Sequence, residues 1–363
     1  MPQTLDAVGM NAFKALERGA VAAVTQRLHE TFVADTYTAG DPDYLQCADD
    51  VAYQLEFLRP VLEFGTVQPL VNYLHWQESC IPQSSLAAAH VPESLQYAAD
   101  FFADKLVAPY GASVKAVLGV VNDAFLRPAE FSMEALEAPA AWPQTADFLA
   151  ALLAGNHTAA ITELNRAMDV GTGLIDFELH VIQPALYRIG ALWQANQVSV
   201  AQEHLASAIV HTVMTMGLLR SPQDNLNGKK VLLACVEGNH HAVGLRMVAD
   251  SFMLSGWDVQ YLGANVPTES LVEQVTNWRP ELLGLSVSFA SQIPVAKAVI
   301  QTLKNRLAQQ SPAVMIGGLA INRCEPMAVV AGADAHFADP QSAQLHIDDV
   351  LQASAQTRRG GEV

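Results

Sequence analysis

The stretch "EGNHHAVGLRM", residues 237–247, follows the apolar run "KVLLACV" and sets two histidines side by side. The spacing is Asn239-x-His241-x-x-Gly244. Neutral imidazole is a common ligand for transition metals near neutral pH. A glycine in the following turn lets a ligand approach the backbone where a Cβ would obstruct it. His240 offers a second imidazole in the same loop, and either could serve as a metal ligand. Two further apolar runs end in small residues. "LLGLSVS" closes on Ser286 and Ser288, whose hydroxyls can donate into a buried pocket. "AVMIGG" closes on Gly317 and Gly318, a pair that permits close approach of a ligand. Each signal has an ordinary explanation: a solvated loop histidine, a strand serine bonded to its own backbone, a glycine turn. Their placement at one edge of one domain favours a binding site.

The elements that position these residues follow from hydrophobic periodicity. From residue 228 to 355, apolar runs alternate with amphipathic stretches. "KVLLACV", "DVQYLG", "LLGLSVS", "AVMIGG" and "AHFA" read as strands, with helices between them. Such alternation implies a doubly wound parallel sheet, which binds ligands at the carboxyl ends of its strands. Residues 145–222 read as a four-helix bundle with short breaks. Gly155 and Asn156 mark one helix end and the next helix start, and Pro184 should kink the third helix. Residues 1–138 read as a helical domain. Val51, Leu55, Leu58 and Leu62 fall on one face, and 15 of the chain's 26 aromatic residues lie in this block. The fold class is therefore α + α/β. "EALEAPAAWPQ" reads as a linker, and residues 356–363 as a disordered tail.

Composition limits the function classes. At 363 residues and 51% hydrophobic, the chain can bury large cores. No run is long enough for a transmembrane helix, and the first residues lack the pattern of a signal peptide, so the expected location is cytoplasmic. Cys47, Cys80, Cys235 and Cys324 lack the spacing of a zinc site or a disulfide framework. Formal net charge is −17, and residues 1–140 hold 7 basic against 18 acidic side chains. That balance repels phosphate and argues against direct nucleic-acid binding, while leaving open a protein partner that itself binds DNA.

The alternating domain resembles the cobalamin-binding domain shared by methionine synthase, corrinoid carrier proteins and base-off mutases. That family carries DxHxxG, then SxL, then GG; this chain has Asn239-x-His241-x-x-Gly244, Ser286-x-Ser288 and Gly317-Gly318. The resemblance implies that His241 ligates cobalt from below, and that the displaced nucleotide tail enters past Gly244 and Ser286. Asn239 replaces the carboxylate that holds the histidine's far nitrogen. Its amide oxygen can accept the same hydrogen bond without the charge, and Glu237 is an alternative partner. In the bundle, Trp193 is followed after nine residues by Glu203-His204. This W-x9-EH pattern resembles light-responsive, cobalamin-dependent repressors of carotenoid genes, in which the tryptophan covers the upper cobalt face. The alternative is a core tryptophan beside a capped helix pair.

The acidic first block does not match the basic winged helix-turn-helix with which those repressors begin. It resembles instead the globin-like, biliverdin-binding region of photocobilins, on architecture and on "YQLEFLRPVLEFG" and "YLHWQESC". The resemblance implies Arg59, Tyr73, His75 and Trp76 as bilin contacts, with a core histidine as the alternative for His75 and Cys80 as a candidate thioether site. No P-loop and no nucleophile triad accompanies them, so a non-enzymatic protein is expected. The leading expectation is a light sensor using adenosylcobalamin and biliverdin, signalling through a protein partner or a homo-oligomer. A corrinoid methyl carrier and a light-independent, cobalamin-responsive antirepressor are the alternatives.

Overall fold

The computed structural model describes residues 4–33, 42–80, 86–127, 141–194, 197–323 and 326–360. It divides into two compact units, Met1–Met133 and Glu134–Val363. The first unit holds helices α1 (Ala7–Phe32), α2 (Pro42–Phe64), α3 (Gln68–Cys80), α4 (Leu86–Ala89), α5 (Val91–Lys105) and α6 (Tyr110–Phe125). The expected stripe on α2 is buried, with Val51, Leu55, Leu58 and Leu62 no more than 3% exposed. It faces a core shared with α1 and α5, where Phe13 stacks on Phe102 at 4.5 Å. That core also contains a polar seam. Ser94 Oγ donates to Gln54 Oε1 at 2.6 Å, and Gln54 Nε2 donates to Gln77 Oε1 at 2.9 Å. Gln77 Nε2 and Thr25 Oγ1 are buried without a partner among the described residues.

The second unit opens with α7 (Gln144–Leu153), α8 (His157–Asp169) and α9 (Leu174–Phe177). A π-helical turn, Glu178–Ile182, carries α9 into α10 (Gln183–Gln194), and α11 (Val200–Arg220) follows. Gly155 adopts φ +64° after α7, and Asn156 caps α8 by accepting the Ala159 N–H at 3.0 Å. The expected disturbance at Pro184 takes a definite form. Proline supplies no N–H and crowds the carbonyl four residues back, and the preceding turn widens so that the Gln183 N–H bonds Glu178 O. Phe148, Phe177, Leu164 and Val210 close the bundle core, with Met247 reaching into it from the next helix along.

The chain then forms β1 (Lys230–Val236), α12 (Val243–Leu254), β2 (Asp258–Val266), α13 (Thr268–Trp278), β3 (Leu282–Ser286), α14 (Ile293–Leu307) and β4 (Ala313–Gly317). It ends in α15 (Leu319–Arg323), α16 (Pro326–Ala331), β5 (Ala335–His336) and α17 (Pro340–Gly360). Every strand pair is parallel, in the order β2-β1-β3-β4-β5. This is the expected Rossmann-like α/β architecture. β1 is buried at every position but the first, as befits a strand covered on both faces. The chain leaves β1 toward β2 on one side and returns to β3 on the other, so a crevice opens at the carboxyl ends of β1 and β3. The tail differs from expectation. α17 runs on to Gly360, because Ala353, Ala355, Gln356, Arg358 and Arg359 are good helix formers with no proline among them. Residues 361–363 lie outside the described residues. Among the described residues no helix is long and apolar enough to cross a membrane.

Candidate functional site

The crevice between β1 and β3 receives the loop that carries both histidines. Asn239 is fully buried there. Its Nδ2 donates to Ser286 O at 2.8 Å, fastening the loop after β1 to the end of β3. Its Oδ1 accepts the backbone N–H of His241 at 3.1 Å. The sequence suggested that this oxygen would serve the imidazole's far nitrogen; the structure gives it to the backbone, and Asn239 shapes the turn. Glu237, the alternative partner, turns away and accepts the Thr268 N–H at 3.2 Å.

His241 stands just before α12, its ring edge-on to Phe289 with centroids 5.2 Å apart. One side of the residue is open to solvent, while the protein beneath the ring holds its pKa below the usual histidine value. Desolvation is the main cause, the nearby Glu203 carboxylate opposes it, and His240 adds to it. A lowered pKa keeps the imidazole neutral, the form that ligates a metal. α11 of the bundle packs against α12, which brings Glu203 toward the histidine loop.

Glycines around the crevice play different roles. A Cβ on Gly244, in the first turn of α12, would meet nothing within 4 Å. Gly318 adopts φ +98°, and a Cβ there would fall 2.5 Å from Val287 O; one on Gly317 would fall 2.9 Å from Phe337 O. Close approach at the glycine pair is therefore made by the protein's own backbone, whereas Gly244 borders free space. Ser286 and Ser288 are 6% and 9% exposed, and Ser286 Oγ lies 3.5 Å from Asn239 Nδ2.

The bundle residues lie on consecutive helices. Trp193, near the end of α10, is 43% exposed, unusually open for an indole. Ser199 starts α11 with a capping box closed by Gln202. One turn on, Glu203 Oε2 lies 2.6 Å from His204 Nδ1, and Glu203 Oε1 accepts from Ser207 Oγ at 2.9 Å. Glu203 thus orients His204 and leaves Nε2 as the ring nitrogen open to a ligand.

The suggested bilin contacts of the first unit are engaged within the protein. Arg59 forms a two-bond pair with Glu17, at 2.6 and 2.7 Å, on the wall of a cavity of about 470 Å³ between α1 and α2. Tyr73 stacks on Phe57 at 4.2 Å and His75 on Phe125 at 4.7 Å. The side chains of Trp76 and Cys80 lie outside the described residues.

Several residues escaped sequence reasoning. Asn265, at the end of β2, and Gln292, before α14, bond the histidine loop from both sides. Phe289 packs on the imidazole. Asn265 alone carried a signal, since asparagine is the type that tolerates the φ of +50° it adopts at a strand end. Glu178 and Asp250, both fully buried, join the π-helical turn of the bundle to α12. Acids on two distant segments gave no hint of meeting.

Comparison with known proteins bears on this arrangement. Two family models, each described as a B12 binding domain, match the chain at residues 145–216 and 229–354. The bundle and the α/β domain thus both carry the mark of a cobalamin-binding family, and the implied cofactor is a corrinoid. Among curated relatives, HTH-type transcriptional repressor CarA of Myxococcus xanthus is 30% identical over 165 residues, 43% of this chain and 53% of the relative. HTH-type transcriptional repressor CarH of the same organism is 31% identical over 153 residues, 41% and 50%. Dimethylamine corrinoid protein 1 of Methanosarcina acetivorans is 25% identical over 134 residues, 34% and 63%. The chain spans about half the length of the two repressors. The monomethylamine corrinoid protein of Methanosarcina barkeri matches with a TM-score of 0.46 at 18% identity, over 58% of this chain and 96% of that one. With two repressors among the relatives, the exclusion of nucleic acid drawn from net charge finds no support here.

Proposed function

We propose that this protein is a non-enzymatic, cobalamin-dependent light sensor that binds adenosylcobalamin with His241 as the lower cobalt ligand. The observation that supports it most is the meeting of two motifs. α11, which carries Glu203 and His204 of the Trp193-x9-Glu203-His204 pattern, packs against α12, whose start lies just after His241. The residues fit the cofactor. A desolvated neutral imidazole suits cobalt, and open space at Gly244 suits the passage of a nucleotide tail. Trp193 would cover the upper ligand, with Glu203 and His204 beside it. When bound, adenosylcobalamin supplies a weak, photolabile cobalt–carbon bond. Loss of the upper group would free Trp193 and let α10 and α11 repack, altering the surface offered to a protein partner or a second copy.

Biliverdin as a second pigment is the more specific part of the proposal and rests on the first unit. In the buried seam of Gln54, Gln77 and Ser94, Gln77 Nε2 and the nearby Thr25 Oγ1 are polar atoms without a partner among the described residues, inside an apolar helical core of the kind a bilin's pyrrole nitrogens require. Arg59, Tyr73, His75 and Trp76 remain the proposed contacts nearer the surface. The second reading is a corrinoid methyl carrier, favoured by the dimethylamine corrinoid proteins among the relatives. A carrier must present its upper face to successive enzymes, which a covering tryptophan opposes. A light-independent antirepressor shares every motif with the sensor.

Absorption spectra of the protein reconstituted with adenosylcobalamin and biliverdin, in the dark and after green and then red light, test these readings together. Retention of both pigments with a red-driven change in the cobalamin bands is expected. Cobalamin alone responding to green light removes the bilin. Retained cobalamin without a photoproduct that depends on binding to the protein favours the carrier or the antirepressor.

A further inference from the structure

The histidine loop is held by two residues outside the binding motif. Gly238 adopts φ +81° and turns both of its backbone polar groups toward amide side chains. Its N–H donates to Asn265 Oδ1 at 2.7 Å, and its carbonyl accepts from Gln292 Nε2 at 3.0 Å. Asn265 adds a bond from its own N–H to Asn239 O at 2.8 Å. Gln292, only 6% exposed, uses its remaining oxygen to accept the N–H groups of Ser288 and Phe289, at 3.0 and 3.2 Å. One buried amide therefore fixes the loop bearing His241 and the backbone of Phe289, whose ring stands edge-on to the imidazole.

We infer that Asn265 and Gln292 are positioning residues for the cobalt ligand: they clamp Gly238 from β2 and from the start of α14, and so set the place and tilt of the His241 ring. The inference rests on His241 being the lower ligand. Three considerations support it. Asn239 spends its side chain on the backbone of Ser286 and His241, so the imidazole's orientation must come from elsewhere. Gly238 lacks a side chain of its own, so its conformation is set by what bonds it. Gln292 makes three bonds from a buried position, and losing them leaves buried backbone groups unpaired. Partners that orient a ligating histidine typically matter 10- to 100-fold in metal affinity.

The test uses full-length protein labelled with ¹⁵N-histidine and loaded with the cobalt(II) form of cobalamin. In electron paramagnetic resonance a ¹⁵N ligand splits the cobalt lines into doublets, and the nucleotide's own ¹⁴N base into triplets. Wild type should show doublets; triplets or an unsplit signal would defeat the His241 reading itself, separately from the clamp. Given doublets in wild type, Gln292→Ala and Asn265→Gly should each lose a large part of the doublet signal and bind cobalamin about 10- to 100-fold more weakly. Gln292→Glu keeps the acceptor for Ser288 and Phe289 but not the donor to Gly238, and should fall with Gln292→Ala. A purely structural role would lower the melting temperature of the cofactor-free protein and leave the doublets and affinity intact; that result overturns the inference. Asn265 is exposed, and glycine accepts its φ of +50°, so Asn265→Gly carries the test if the Gln292 variants do not fold.

Discussion

The strongest quantitative expectation concerns Glu178, fully buried in the π-helical turn that faces α12. Both of its carboxyl oxygens, and Asp250 Oδ2, lack a donor among the described residues. The other Asp250 oxygen accepts from Arg246 Nε at 2.6 Å. Glu178 and Asp250 face each other closely enough to bond once one carries a proton. That proton belongs to Glu178. Burial and then the Asp250 charge push its pKa well up, and Arg246 opposes them only in part. Asp250 is raised by burial, but Arg246 pulls it back toward ionisation. The folded state therefore holds a proton that an unfolded glutamate has shed at neutral pH. Its stabilisation is complete below the unfolded pKa and is lost as pH rises through the folded one, at up to about 1.4 kcal/mol per pH unit. Glu178→Gln replaces the protonated acid with an amide donor that does not titrate. In urea unfolding of the cofactor-free protein, the variant should match wild type near pH 4.5 and exceed it increasingly toward pH 8. Four of the five tryptophans (Trp142, Trp193, Trp257 and Trp278) lie in the second unit, so fluorescence reports mainly on it. Parallel stability–pH curves for the two proteins, or a variant that loses stability at pH 8, would refute the shared-proton account.

Other outcomes follow from the crevice. Gly318→Ala places a side chain at φ +98° against the Val287 carbonyl, and should cost at least about 1–3 kcal/mol in urea unfolding; an unchanged midpoint would contradict the packing described. Gly244→Leu enters open space and should leave the cofactor-free protein within about 0.5 kcal/mol of wild type. Calorimetric titration should nonetheless show cobalamin binding weakened by roughly tenfold or more, as an overpacked site loses about 1–3 kcal/mol, and equal affinity would remove the tail from this path. Because burial lowers the His241 pKa, its imidazole in the cofactor-free protein should titrate below pH 6.5, as followed by NMR of the ring protons. A midpoint above that value would mean the ring is not desolvated as described.

Much of the scaffold was legible because its signals are local. β1 announces itself as seven apolar residues in a row, the α2 stripe by its spacing, and the start of α8 by Asn156 after Gly155. Parallel strands followed from alternation, and the crevice from the position of the motif just after β1. The partners that hold the site were not legible, because they meet through tertiary contacts between distant segments. Gln292 reaches Gly238 across 54 positions and Asn265 across 27. Glu178 reads as one more polar residue on a helix, and only the fold sets it against Asp250. The glycine pair was legible as a need for small residues, but not that the chain's own carbonyls of Val287 and Phe337 crowd it.

These placements divide the unit into parts with different tolerances. The end of β1 is closely specified: side-chain and backbone bonds of Asn265 and Gln292 hold Gly238 and Asn239, and a side chain on Gly318 would meet the Val287 backbone. The bundle face above it is not. Trp193 and His204 project from it exposed, Glu203 bonds His204 and Ser207 of its own helix, and the turn leading into α10 is already widened at Glu178. A rigid floor below a loosely held cover is the arrangement in which loss of one upper group moves the cover and leaves the lower ligand in place. The buried acid pair lies where that cover meets α12, so any repacking of α9 and α10 that exposes Glu178 must also release its proton at neutral pH.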